Sequence, residues 1–348
     1  MLTRWREVLG ACLLLLALSL PGYADEQSAA LPLTVLHFND FHGQLEPFTD
    51  PTTGASVGGI ARLASAVQAV RAEAPQRPVI LLFAGDMLQG TVTSSLFFGI
   101  PDLGFFSDMG VDAAVMGNHE LDYGQDIFRK LLERARFPVL SANVQAEPKP
   151  FPLQPYVILH PKHGPRVAVL GLTTTELTTT THPRNAVGLS VDDPVVVAKR
   201  LMPQLKAQAE LVVVLSHLGI ADDQRLARDV MGVDLVVGGH NHNVYASPVI
   251  TNGVPIVQAG DRGRYLGRMD LTVSGGHVKV AHYRLIPIEA NTPENAKMAA
   301  NVSEIVAVAE QELVEVIGRA SVDLDAQREV IRRRESNFGD WVADLARE

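Results

Sequence analysis

Five short apolar runs in this chain each lead into residues that hold metal ions well, and this repetition constrains the fold more than any other feature. Leu33 to Phe38 precedes Asn39-Asp40-Phe41-His42, Val79 to Ala84 precedes Gly85-Asp86, and Ala113 to Met116 precedes Gly117-Asn118-His119-Glu120. Leu211 to Leu215 precedes Ser216-His217, and Leu235 to Val237 precedes Gly238-Gly239-His240-Asn241-His242. Short apolar runs of this kind predict buried strands. A single His or Asp after a strand is usually a turn former or a satisfied polar group. Five such placements point elsewhere, because the strands of an open α/β sheet deliver their trailing loops to a crevice beyond the carboxyl edge.

Asp40, His42, Asp86, Asn118, His217, His240 and His242 are therefore the candidate ligands of one two-metal site. Asp40 and His42 are two residues apart, as are His240 and His242. In an extended segment alternate side chains share a face, so each pair is expected to enter the site together. Asp86 stands alone and is the candidate for a shared carboxylate, which would offset the repulsion between two cations. Imidazole nitrogen mixed with carboxylate and amide oxygen suits Zn²⁺, Mn²⁺, Co²⁺ or Fe²⁺ better than Ca²⁺.

Two such ions bind substrate oxygens, lower the pKa of a bound water enough to give hydroxide near neutral pH, and stabilise both ends of an in-line displacement. Phosphate esters are the natural substrates of that arrangement. His119 directly follows Asn118, and Asp122 lies three residues on, within reach to orient the imidazole and favour its cationic form. The pair is expected to act as a catalytic dyad, the competing readings being that His119 is a metal ligand or a turn residue.

The 348 residues suffice for one large α/β domain or two of ordinary size. With 47% hydrophobic and 20% charged residues the composition is that of a globular protein. A net charge of −9 without a basic tract argues against a nucleic-acid polymer as partner. A small phosphorylated substrate remains compatible, since bound dications invert the local field.

Arg4 and Arg6 precede the apolar stretch Leu9 to Leu20, and Pro21-Gly22-Tyr23-Ala24 then offers small residues. Residues 1–24 read as an export signal cut near Ala24, which would place the protein in the periplasm or outside the cell. The apolar stretch is shorter than the roughly 20 residues of a spanning helix, so no stable membrane anchor is expected. Leu9-Gly10-Ala11-Cys12 resembles a lipid-attachment box, but the apolar region follows Cys12 instead of preceding it. Cys12 is the sole cysteine, so no disulfide is expected to stabilise the fold.

From residue 31 to about 290, strand-like runs alternate with amphipathic stretches such as Ile60 to Ala74, Ile127 to Ala135 and Pro194 to Ala209, a pattern of α/β class. Tyr265 to Val273 and His277 to Leu285, separated by Ser274-Gly275-Gly276, predict an antiparallel hairpin and hence a mixed sheet. Thr173 to Thr181 predicts a threonine-rich loop, and Pro293 to Ile317 a long helix.

The motifs Asn39-Asp40-Phe41-His42-Gly43, Gly85-Asp86, Gly117-Asn118-His119-Glu120 with Asp122, Ser216-His217 and Gly239-His240-Asn241-His242 together resemble the calcineurin-like metallophosphoesterases. More narrowly they resemble the secreted 5′-nucleotidase/UDP-sugar hydrolase/2′,3′-cyclic phosphodiesterase family. Gly58-Gly59-Ile60-Ala61-Arg62-Leu63, Gln89-Gly90-Thr91 and Ser141-Ala142-Asn143-Val144 support the match, which extends over nearly all of residues 31–348.

The resemblance implies a four-layer sandwich of two mixed sheets flanked by helices, followed by a C-terminal linker helix. It implies one metal on Asp40, His42, Asp86 and His242, and another on Asp86, Asn118, His217 and His240. His119 and Asp122 would be the transition-state dyad, and Asn118 and Arg332 would contact substrate. Some family members carry Gln at the position of His242, a difference that bears on metal preference.

The implied division is a signal at 1–24, a phosphoesterase domain at 25–290, a linker helix at 291–320 and the opening of a C-terminal nucleotidase domain at 321–348. The aromatic nucleobase pocket of that last domain is absent from the sequence, and the domain could be encoded separately. Taken on its own, Arg332-Arg333-Arg334 is a solvated charge cluster. Two further readings compete with a nucleotide phosphoesterase. One is a thiosulfohydrolase of the same fold, against which Asn118-His119 argues; the other is a non-catalytic remnant that only binds metal.

Overall fold

Strands that are apolar on both faces need cover on both sides, and this fold provides it by stacking two sheets. The computed structural model describes residues 30–316 and 318–347; the stretch read as an export signal, with Cys12, lies outside the described residues. The principal strands are β1 (Leu31–Phe38), β2 (Val79–Phe83), β3 (Ala113–Val115), β4 (Val139–Leu140), β5 (Tyr156–Leu159) and β6 (Val167–Thr173). They continue with β7 (Leu211–His217), β8 (Leu235–Val237), β9 (Val249–Thr251), β10 (Val254–Val257), β11 (Tyr265–Ser274) and β12 (His277–Pro287).

One six-stranded sheet has the order β12-β11-β1-β2-β3-β4 and the other β9-β10-β8-β7-β6-β5. Both are mixed. Strands β1 to β4 pair in parallel, while β11 joins β1 antiparallel and β12 joins β11 as the predicted hairpin. In the second sheet β6, β7, β8 and β10 are parallel, with β5 and β9 antiparallel at the edges.

The alternation within a strand assigns each side chain to a layer. Leu211, Val213 and Leu215 of β7 face the first sheet and meet Leu33, Val35, Ile80, Leu82 and Val115 in a core between the sheets. Val212 and Val214 point the other way, onto helices. The helices of this unit are α1 (Ile60–Glu73), α2 (Val92–Leu96), α3 (Ile100–Met109), α4 (Gln125–Arg134), α5 (Leu177–Thr180), α6 (Pro194–Gln208) and α7 (Ile220–Asp229). Val195, Ala198, Met202 and Leu205 of α6, with Leu226 and Ala227 of α7, cover the outer face of the second sheet.

On the first sheet Phe106 of α3 packs on Phe38 and Phe83, with ring centroids 5.1 and 4.7 Å away. Each such buried side chain contributes roughly 1.5–3 kcal/mol relative to exposure. The result is the four-layer α/β sandwich. Helix α6 starts where local chemistry demands it: Asp193 accepts from the amides of Val195 and Val196 at 2.9 and 3.0 Å, and Pro194 occupies the first turn.

Two expectations need correction. Thr173 to Thr181 is not simply a loop, because Thr173 closes β6 and Leu177–Thr180 forms a helical turn. The helix predicted for Pro293 to Ile317 spans Ala296–Glu312 (α8), starting one residue after Asn295, whose side chain accepts from the Met298 amide at 3.0 Å.

Residues 304–348 form a second compact unit. It holds the end of α8, a short helix α9 (Arg328–Ile331) and α10 (Asn337–Arg347), the last started by Ser336, whose hydroxyl accepts from the Gly339 amide at 3.0 Å. Asn337 ties the preceding segment to this start, accepting from the Asp325 amide and donating to the Asp323 carbonyl. Arg332 sits in this unit on an exposed turn after α9.

Asp102 in α3 is completely buried, and burial pushes its carboxyl up to about 7. The folded chain then holds a proton that the unfolded chain releases near 3.8, so stability falls as pH rises from about 4 to 7 and levels off above. Asp102→Asn is expected to remove this dependence and raise stability at pH 8, by an amount on the order of 4 kcal/mol. Denaturant melts at pH 5 and pH 8 check it; a variant less stable than wild type at pH 8 contradicts it.

Candidate two-metal active site

The seven candidate ligands stand at or past strand ends of both sheets, His217 being the last residue of β7, and the backbone that carries most of them is not extended. Asp40, His42, Asp86, His240 and His242 all have positive φ, between 50° and 77°. This corrects the expectation that alternation in an extended segment aims Asp40 with His42 and His240 with His242. A left-handed turn aims them instead. For a residue other than glycine that conformation costs roughly 1–2 kcal/mol, and it persists only where surrounding contacts over-determine it.

Those contacts are present. The loop after β1 lies beside the loop after β2, with the amides of Asp40, His42 and Gly43 donating to the carbonyls of Gly85, Asp86 and Met87 at 2.9–3.1 Å. Asn39 accepts from the Ala259 amide at 2.9 Å and donates to the Gly260 carbonyl, fixing the same loop to the far sheet.

Glu120, to which the sequence alone assigns no role, is buried and accepts from the amides of Met87 and Gly117 at 2.7 Å and of Asp86 at 3.3 Å. It clamps the Asp86 loop to the Asn118 loop. Burial and the nearby Asp86 charge push Glu120 up to about 7. Two glycines are obligatory here. A Cβ on Gly117 would lie 2.2 Å from Asp86 Oδ1, and one on Gly85 would lie 2.5 Å from His217 Nδ1.

All seven candidate side chains converge. Asp40, His42 and His242 form one cluster and Asp86, His217 and His240 another, each with ligating atoms within 4.8 Å of one another. Asn118 belongs to the second, its Oδ1 lying 3.3 Å from His217 Nε2 and 3.1 Å from His240 Nδ1. Arg332 is on an exposed turn of the second unit.

The donor set fits metal ions by its own chemistry. With Nδ1 donating to the Ala84 carbonyl at 2.7 Å, His217 turns Nε2 to Asp86 Oδ2 at 3.1 Å and to Asn118 Oδ1, where it holds a proton in the metal-free chain and would offer its lone pair to a cation that displaced that proton. His42 likewise engages the Gln89 carbonyl through Nδ1 at 3.0 Å, leaving Nε2 aimed at His242 Nε2 at 3.1 Å and at the Asp40 cluster. Acceptor atoms facing one another at such distances repel unless a proton or cation lies among them. A second hydrogen bond that fixes the tautomer is also the usual environment of a metal-binding histidine.

Asp86 lies between the clusters and is 2% exposed. Burial, the largest single influence, would raise its pKa, but the charge and hydrogen bond of His217 together with the charges of His119 and His42 outweigh it and hold the carboxylate well below its ordinary range. Burial is also the largest influence on His217 and opposes its protonation, but Asp86, with Asp40 and the Ala84 hydrogen bond, outweighs it and raises His217 to about 10.

At the rim, His119 Nδ1 lies 2.6 Å from Asp122 Oδ2, and the His119 amide donates to Asp86 Oδ1 at 3.0 Å. Burial lowers the affinity of this ring for a proton; the Asp122 hydrogen bond and the Asp86 charge more than restore it, raising His119 to about 9. His119 also falls within ligating distance of His42 and Asp86. Its Nδ1, however, is engaged by Asp122.

Residues 33–244 match the calcineurin-like phosphoesterase family, and the chain belongs to that family of metal-dependent hydrolases. It is 32% identical to the 5′-nucleotidase of Mus musculus over 364 aligned positions, which cover 95% of this chain and 62% of that protein. Among solved structures it is similar to a 5′-nucleotidase precursor from Thermus thermophilus, with a TM-score of 0.77, 31% identity and coverage of 90% of this chain and 66% of that one. The sulfate thiohydrolase SoxB of Thermus thermophilus shares the fold, at 24% identity and a TM-score of 0.73 over 84% of this chain and 62% of that one. The chain thus spans about 62% of the length of the mouse protein it matches.

The His119–Asp122 contact has a pH signature. A histidine raised from 6.5 to about 9 contributes stability that is fully present below pH 6.5 and lost as pH rises through 9. In metal-free protein the His119 resonance is expected to titrate near pH 9 and to move toward 6.5 in Asp122→Asn. That variant should be less stable than wild type at pH 6 and match it above pH 9. Titration of His119 near 6.5 in the wild type contradicts the assignment.

Proposed function

We propose that the chain is an exported phosphoesterase that hydrolyses phosphate esters of nucleotides or nucleotide sugars at a two-metal site. The observation that carries this reading is the convergence of carboxylate, amide and imidazole atoms into two clusters, one holding Asp86, which is also within ligating distance of His42 of the other, with His119 beside them. In this reading Asp40, His42, Asp86 and His242 hold one divalent ion and Asp86, Asn118, His217 and His240 the other. When bound, the ions supply Lewis acidity and an activated water.

The remaining work falls to the chain itself. Asn118 has an amide nitrogen free of its Oδ1 contacts with which to orient a phosphoryl oxygen. His119, held cationic by Asp122, neutralises charge that develops on the transferring group and can hand a proton to the departing alkoxide. Buried Glu120 and Asn39 fix the loops, so little reorganisation accompanies the reaction. Arg332 is read as a phosphate contact through the family resemblance alone.

Export is supported by the sequence of residues 1–24, with cleavage near Ala24. Among the described residues no helix is long and apolar enough to cross a membrane. The division into a phosphoesterase domain at 25–290, a linker helix and the opening of a nucleotidase domain from 321 rests on the resemblance and on the longer relatives. The thiosulfohydrolase reading is disfavoured by Asn118-His119.

Purified chain loaded with Mn²⁺ or Zn²⁺ should hydrolyse AMP, UDP-glucose or bis-p-nitrophenyl phosphate, lose the activity to a chelator and leave thiosulfate unchanged. His119→Ala should keep both ions and lower kcat by about 10²–10⁴-fold. Folded, metal-loaded protein without phosphoester turnover rules out the enzyme reading, and loss of an ion from His119→Ala makes His119 a ligand.

A further inference from the structure

The threonine-rich segment after β6 supplies none of the seven candidate ligands, yet it touches the site at three points. Glu176 Oε2 lies 3.4 Å from His240 Nε2, the ring nitrogen opposite the one facing Asn118. Thr181 Oγ1 donates to the Asn118 carbonyl at 3.4 Å. Asn185 Nδ2 donates to the carbonyls of Leu121 and Asp122 at 2.8 and 3.2 Å.

The threonines explain how Glu176 stays in place although its side chain is 65% exposed. Its amide donates to Thr174 Oγ1 at 3.2 Å, and its carbonyl accepts from the hydroxyls of Thr179 and Thr180, both at 2.9 Å. Further along the segment, Gln125 Nε2 donates to the carbonyls of Asn185 and Val187 at 3.0 and 2.8 Å.

We propose that residues 174–187 form a strap in which Glu176 is the positioning residue for His240 and Asn185 the positioning residue for the His119–Asp122 turn. Such a strap rests on the two-metal reading above and supplies what aims its parts. His42 and His217 have their second nitrogens fixed by backbone carbonyls. His240 instead turns Nε2 to the Glu176 carboxylate at 3.4 Å and Nδ1 to the Asn118 amide oxygen at 3.1 Å, so its tautomer is decided between two side chains, and the negative charge of Glu176 draws the proton to Nε2. With the proton on Nε2 directed to Glu176, Nδ1 presents its lone pair to Asn118 Oδ1 and the second cluster. Loss of the carboxylate frees the ring to place its proton on Nδ1, where it cannot ligate. Carboxylate partners of this kind are worth about 10–100-fold in metal affinity.

The test compares wild type, Glu176→Ala, Glu176→Gln and Asn185→Ala. ¹⁵N-histidine spectra of metal-free protein, with His240→Gln to assign the signal, should show His240 protonated on Nε2 in the wild type and a mixture of tautomers in Glu176→Ala. Mn²⁺ titration should show one of two ions weakened about 10–100-fold in Glu176→Ala, the other within about two-fold of wild type, and most of the affinity restored in Glu176→Gln. Asn185→Ala should bind both ions as wild type does while kcat falls and KM holds.

An unchanged His240 tautomer in Glu176→Ala overturns the proposal, as does equal weakening of both ions. The tautomer measurement needs neither metal nor turnover. A wild type that hydrolyses no phosphoester therefore removes the functional reading while leaving this result to stand or fall by itself.

Discussion

Everything in the site is arranged around one buried carboxylate. Asp86 sits between two groups of lone-pair donors, and two positive ions can be brought that close only if a negative charge lies between them. In the metal-free chain the same carboxylate is balanced by protonated His217. The pair thus shields the core from an unpaired buried charge, whose cost would be several kcal/mol. A cation held there would take the place of the His217 proton, so metal binding is expected to release protons.

Holding Asp86 there dictates the surrounding backbone. Five candidate ligands occupy left-handed conformations, each opposed by roughly 1–2 kcal/mol, and the loops are stapled by backbone hydrogen bonds and by Glu120 and Asn39. A rigid cradle of this kind keeps the ligands aimed when mutual repulsion would spread them. Asp223 does related work behind the second cluster: it is hydrogen-bonded to Ser216, the neighbour of His217, and packs where a Cβ on Gly238 would come within 2.6 Å of it.

The sandwich and the convergence of the seven candidate side chains were legible in the sequence because strands buried on both faces leave uninterrupted apolar runs, and the candidates stand at or just past their ends. Backbone handedness was not legible, since Asp40-Phe41-His42 has the same spelling whether extended or left-handed. Glu120 carries no role readable from the sequence, because two of its three amide contacts, those to Asp86 and Met87, come from a loop distant in sequence. The signal available for it was its place directly after Asn118-His119, where a carboxylate has two glycine-containing loops within reach. The threonine run read as a loop because its hydroxyls serve local carbonyls and amides, a pattern that hydrophobic periodicity does not register.

The central claim is that Asp86 joins two ions into one centre. Electron paramagnetic resonance of the Mn²⁺-loaded chain tests it directly, because two ions sharing a carboxylate are magnetically coupled. The account predicts two Mn²⁺ per chain with a coupled spectrum that collapses to that of isolated ions, or a single ion, in Asp86→Asn. A wild-type spectrum of two independent Mn²⁺ ions, or a coupled spectrum that survives Asp86→Asn, contradicts it.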